Sequence, residues 1–154
     1  MFAPAARVVH QGGASLAANA PCQLELASAS VDGVKVRQPD TGNLYAFVGI
    51  VDAAIADQAY GLVQIYGYRS TVTVFQTGTS QATGQPLVPV AGAGYMATSA
   101  STLASNTTIT YLPIFAVLAE SITDVTASAT VNAKAFIRAM ALLLSLASIF
   151  SVVV

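Results

Sequence analysis

The run Ser70-Thr71-Val72-Thr73-Val74-Phe75-Gln76 constrains the fold more than any other stretch, because β-branched and aromatic side chains crowd into it and alternate. Such residues are stiff at χ1 and pack well on a pleated surface, so a period of two predicts a strand with one buried face. The preceding Tyr60-Gly61-Leu62-Val63-Gln64-Ile65-Tyr66-Gly67-Tyr68 is equally rich in strand formers, and Gly67 suits a bulge or a close backbone approach. Together the two segments predict a central sheet.

Turn signals divide the remainder. Val31-Asp32-Gly33-Val34-Lys35-Val36-Arg37 sets an Asp-Gly turn before an alternation that puts Val34 and Val36 on one face, Lys35 and Arg37 on the other. Pro39 to Asn43 forms the next turn, Leu44 to Val51 a short strand, and Ala53 to Ala59 a connection. Gly78 to Gly84 is a loop. Gln85 to Val90 is expected to be an edge strand, since Pro86 and Pro89 cannot donate to a ladder. Further strands are expected at Thr107 to Leu112, Ile114 to Leu118 and Val125 to Val131, the last with Ala127 and Ala129 on its buried face.

The expected fold is all-β or mainly β, a single antiparallel β-sandwich or barrel-like domain. Residues 1–23, broken by Pro4, Gly12-Gly13 and Pro21, read as an extended N-terminal arm. It would gain order by adding a strand to a neighbour's sheet edge, or else remain a loose terminus. Residues 24–132 read as the β-rich body and 133–154 as an apolar C-terminal segment. In that segment Lys134, Arg138, Ala141, Ser145 and Ser148 recur at helical spacing, while a competing reading runs the preceding strand on through Phe136 and Arg138. No internal repeat is evident in the sequence.

Composition enters through charge. Six Lys or Arg and seven Asp or Glu serve 154 residues, a share of 8% against about 25% in ordinary soluble domains. Much of the surface is therefore expected to lie against other protein. Ala, Ser, Thr and Gly take the place of the missing charges, and six Tyr with six Phe suit sheets and contact faces as well as a plain core. A net charge of −1 provides no basic field, so direct nucleic-acid binding is not expected. The N-terminus shows no basic region followed by an apolar one, so no secretory signal is expected.

No catalytic, cofactor-binding or metal-binding residue is expected. Cys22 is the only cysteine and reads as an inert thiol, and His10, the only histidine, rules out an ordinary Ser-His or Cys-His site among the turn residues where it lies. Asp52 and Asp57 read as solvated loop acids. One Cys and one His do not make a zinc site, no Asp-x-Asp calcium loop occurs, and Gly92-Ala93-Gly94 is too short for a dinucleotide fingerprint. Asn106-Thr107-Thr108 matches a glycosylation acceptor in form only.

The stretch Val48 to Tyr68, with its Ala59-Tyr60-Gly61-Leu62-Val63-Gln64-Ile65-Tyr66-Gly67 centre, followed by a β-branched strand and by Thr83-Gly84-Gln85-Pro86-Leu87-Val88-Pro89-Val90, resembles small virion proteins, the capsid decoration (cement) proteins of tailed bacteriophages. The likeness covers about residues 48 to 90. It implies a β-sandwich or barrel-like structural protein, usually a homotrimer, made in the host cytoplasm and seated on the capsid surface, where it binds the major capsid protein and reinforces the shell. The apolar C-terminal segment departs from a minimal protein of this kind, which leaves another virion part (tail, neck or receptor-binding module) as an alternative. A second alternative is a membrane-associated protein anchored by residues 139–154, although these sixteen uncharged residues fall short of the roughly twenty a spanning helix needs. A third is a glycan-binding module using Tyr66, Tyr68 and Tyr95 as stacking platforms.

Overall fold

The computed structural model describes residues 5–10, 13–26, 35–41, 44–76, 79–98, 114–123 and 128–139. These residues form ten strands: β1 (Ala5–His10), β2 (Pro21–Leu24), β3 (Lys35–Arg37), β4 (Phe47–Val51), β5 (Tyr60–Gln64), β6 (Tyr66–Gln76), β7 (Pro86–Pro89), β8 (Met96–Thr98), β9 (Ala116–Leu118) and β10 (Ala129–Arg138). A single 3-10 turn, Leu44–Ala46, leads into β4 where a longer strand was expected. The protein is mainly β, and its strands close into two small barrels, β1-β3-β2-β4-β5 and β10-β6-β8-β7-β9.

The two barrels have the same topology. In each, the first strand runs parallel to the third (β1 with β3, β6 with β8) and every other neighbour is antiparallel. The correspondence extends to single residues. Leu16 bridges Ile55 in one barrel and Gln81 bridges Ile122 in the other. Asn19 (φ 64°) and Gly84 (φ 88°) then take the left-handed conformation, and their N–H groups donate to Val51 and Leu118, each at 2.9 Å. Pro21 and Pro86 open the next strands, where Pro21 faces Ile50 and Cys22 faces Gly49 just as Pro86 faces Val117 and Leu87 faces Ala116. The sequence trace of this duplication is Ser-x-Ala-x-(Asn/Gly)-x-Pro at Ser15 and again at Ser80.

Several expectations are corrected. Residues 5–10 and 21–24 are not an arm: they are strands of the first barrel, and a closed barrel has no free edge to lend or to fill. β7 is not an edge strand, since it pairs with β8 and β9. Its two prolines stand at its first and last positions, which leaves Leu87 and Val88 as internal donors. Lys134 and Arg138 do not mark a helix. They alternate with the buried Ala133, Ala135 and Ile137 along β10, as the competing strand reading has it. The strand expected at Thr107 to Leu112, the Asp32-Gly33 turn, Asn106 and residues 140–154 lie outside the described residues. Among the described residues no helix is long and apolar enough to cross a membrane.

Each barrel is filled by its own side chains. Val8, Leu16, Val36, Val51, Ile55 and Val63 pack the first, while Val72, Val74, Leu87, Met96, Leu118 and Ile137 belong to the second. Phe47 and Ile50 of β4 join the second core rather than the first, and the Phe47 ring meets Phe115 at 5.0 Å between centroids. One apolar interface thus welds the barrels. The β5–β6 connection is the single residue Ile65.

A register shift in the β6–β10 ladder decides what lies outside. Ala133 faces Val72 but Ala135 faces Arg69, so β6 carries one extra residue between them. A bulge of that kind reverses which parity points inward. Val72 and Val74 are buried after it, whereas the equally even-numbered Tyr66 and Tyr68 before it are about half exposed. The bulge lies beyond Gly67, which itself has φ 95°.

Candidate functional site

The side chains that the sequence offered for chemistry are committed to structure. His10 is 1% exposed at the end of β1, not in a turn-rich arm. Its Nδ1 lies 3.1 Å from the Val36 carbonyl oxygen, and its Nε2 is hydrogen-bonded with the Ala14 carbonyl. Cys22 is fully buried in the first barrel, and burial pushes its thiol up to about 12, offset in part by the bond that Sγ donates to the Gly49 carbonyl. A protonated, enclosed thiol is a poor nucleophile. The fold places the Cys22 side chain out of contact with solvent.

Asp52 and Asp57 lie at loop surfaces, but neither is simply solvated. Asp57 accepts a hydrogen bond from the Gly13 backbone N–H at 3.1 Å, tying the β1–β2 loop to the β4–β5 loop. Asp52 pairs with Arg69 at 3.1 Å, its own side chain remaining 60% exposed. Among the described residues no cluster of three or more His, Cys, Asp or Glu is placed to hold a metal ion.

Among the described residues a dense polar constellation gathers around Arg69, which composition did not single out. Arg69, 10% exposed at the side chain, sits where the barrels meet and uses every part of its guanidinium. Nε donates to the Thr71 carbonyl at 2.8 Å. Nη1 donates to Asp52 Oδ1 and to Gln64 Oε1 at 3.3 Å, and Nη2 to Asn19 Oδ1 at 2.8 Å and the Val51 carbonyl at 3.0 Å. Gln64 completes the network by donating through Nε2 to the Tyr66 and Tyr68 carbonyls. Asn19, Asp52, Gln64, Tyr68, Arg69, Ser70 and Thr71 line an open cleft of about 380 Å³ over this network. An arginine has five N–H donors, and these contacts engage both Nη groups and Nε within the chain. The cleft is a junction between barrels.

Other buried amides do similar work. Gln81 Nε2 donates to the Phe75 carbonyl at 3.2 Å, and Gln23 Oε1 accepts from the Asp40 N–H at 3.0 Å. Nothing in their spacing distinguished them from surface glutamines.

The outer surface is more informative. Tyr68 faces Phe136 across the β6–β10 ladder and Tyr66 faces Arg138. The Tyr68 and Phe136 rings meet edge to face at 5.6 Å, a favourable arrangement, yet Tyr66, Tyr68 and Phe136 remain 51%, 48% and 51% exposed. On β5 of the other barrel Tyr60 and Leu62 are also exposed, and the Arg7 guanidinium lies over the Tyr60 ring at 4.5 Å. The three tyrosines expected as a stacking platform do not gather. Tyr66 and Tyr68 share a face, while Tyr95 stacks on Phe75 near the opposite end of β6, with centroids 5.1 Å apart. No protein-family model and no curated protein sequence matches the chain.

Proposed function

We propose that this chain is a non-enzymatic structural protein that works by burying its surface against other protein, in the manner of a phage capsid decoration protein. One observation carries the reading: two closed barrels, each with its own buried core, still expose large apolar side chains at Tyr66, Tyr68 and Phe136. A finished monomer gains nothing by leaving such residues in water, since apolar area removed from it stabilises by roughly 25 cal/mol per Å². Patches of this kind mark interaction sites. The scarcity of charge points the same way, and the resemblance at residues 48–90 supplies the capsid as partner and a homotrimer as the assembled form.

The test is co-sedimentation of the purified protein with empty shells of the virus that encodes it, stripped of this component. Saturable binding, with shells that resist heat or low salt better afterwards, is the expected result. Protein that stays in the supernatant at micromolar concentration would set the reading aside. Sedimentation velocity on the free protein tests the trimer separately.

A further inference from the structure

We infer that the outward face of β6 and β10, formed by Tyr66, Tyr68, Phe136 and Arg138, is the docking surface, and that its partner is a protein surface on which carboxylates border apolar groups. The inference rests on the reading above and adds to it which face docks and what chemistry it meets. Three observations carry it.

The face is built, not incidental. Tyr68–Phe136 and Tyr66–Arg138 are cross-strand pairs of one ladder, and the extra residue of β6 between Arg69 and Val72 turns both tyrosines outward. The ladder itself holds the rings side by side. Its aromatic and arginine content is also that of residues which dominate binding energy at protein interfaces.

The charge is one-sided. Arg138 is exposed and has no acidic partner among the described residues, while the neighbouring Lys134 is taken by Glu120 at 2.8 Å. A second copy docking through the same face would therefore bring Arg138 no free carboxylate, whereas an acidic partner surface would pair it.

The comparable patch on the first barrel differs in the one respect that counts. There the arginine, Arg7, already covers the ring of Tyr60, so its cation is engaged within the chain. Tyr60 thus serves as an internal comparison, an exposed tyrosine outside the assigned face.

The experiment uses the full chain and the stripped shells. Phe136→Ser combined with Tyr68→Ser, and separately Arg138→Glu, are each expected to weaken shell binding about tenfold or more, the scale of an interface hot spot. Tyr60→Ser is expected to change it less than about threefold. Binding of the wild type should fall with added salt and that of Arg138→Glu should not, because the exposed ion pair is screened. Circular dichroism and melting curves confirm that each variant is folded, and Arg138→Glu, a change at an exposed side chain, keeps the test open if the double serine variant does not fold. Shells that bind the face variants as tightly as wild type, or that lose as much affinity with Tyr60→Ser, would overturn the assignment of the face while leaving the capsid role intact. Wild-type protein that ignores the shells would overturn both.

Discussion

Arg69 of the second barrel donates through Nη2 to Asn19 Oδ1 of the first at 2.8 Å, and Asn19 in turn accepts through its backbone carbonyl from Thr73 N at 3.0 Å. The left-handed turn that opens β2 is thereby pinned to β6. Its counterpart, Gly84, has no side chain to offer.

Arg69→Ala should lower stability by about 3 kcal/mol, because it removes the donor to the Asn19 and Gln64 side-chain oxygens and to the Thr71 carbonyl at a part-buried junction. The exposed Asp52 contributes little to that figure. Arg69→Lys should recover only a small part, since an ammonium cannot reproduce the planar fork. Urea unfolding measures both, and a loss under about 1 kcal/mol for the alanine variant would contradict the role given to the network.

At Gly49 an added Cβ would lie 2.1 Å from the Gln64 carbonyl oxygen, which is backbone and cannot swing aside. Gly49→Ala is therefore expected to cost about 3 kcal/mol, the upper end of the usual range for forced overpacking. At Gly84, by contrast, a Cβ meets nothing within 4 Å. Gly84→Asn should be tolerated within about 1 kcal/mol, as asparagine accepts the left-handed region. Thermal melts of the two variants side by side decide the point.

Glu120 clasps Lys134 twice, through the ion pair and through the Lys134 backbone N–H, which donates to Oε1 at 2.8 Å. The side-chain bond first, then the backbone bond, lowers the Glu120 carboxyl below its ordinary value, and the bond to Glu120 raises Lys134. A carboxyl depressed in the folded state stabilises above its unfolded pKa and loses that contribution as pH falls through the folded one. A raised lysine contributes below its unfolded pKa and loses it as pH rises through the folded one. Glu120→Gln should thus lower the melting temperature slightly at neutral pH and converge with wild type in acid. A difference that persists well below the carboxylate range would refute the assignment.

Cys22 should resist thiol reagents in the folded protein at pH 8, where a thiol pushed up to about 12 is almost wholly protonated. Labelling with a chromogenic disulfide should follow global unfolding as denaturant is added. Rapid modification of the native chain would show that the first barrel opens locally.

Strand identity was legible wherever one period ran unbroken. Val36 between Lys35 and Arg37, and Val72 and Val74 in β6, lie as their alternation predicts, whereas Ala129, expected on a buried face, is exposed, and the buried side of β10 begins only at Ala133. The duplication, which the sequence was expected to lack, leaves only the short trace at Ser15 and Ser80, because what otherwise repeats is backbone conformation and register while the side chains differ: Asn19 against Gly84, Cys22 against Leu87, Leu16 against Gln81. Alternation also misleads across the bulge, which sends Tyr68 out and Val72 in with no change of pattern between them. Arg69 was invisible as a hub for a related reason. Its partners come from β2's opening turn, β4 and β5, brought together only once both barrels have closed.

Each barrel is sealed by pairing its first strand with its last, β1 with β5 and β6 with β10. During synthesis all five strands of the N-terminal barrel have emerged once Gln64 is clear of the ribosome, whereas the second must wait for Arg138. Pairings so distant along the chain form slowly, since loop-closure entropy is lost before contacts compensate it. Phe47 and Ile50, which belong to the later core, therefore remain uncovered in the interval, and the half-made chain carries a sticky flank that only its own C-terminal half is shaped to cover.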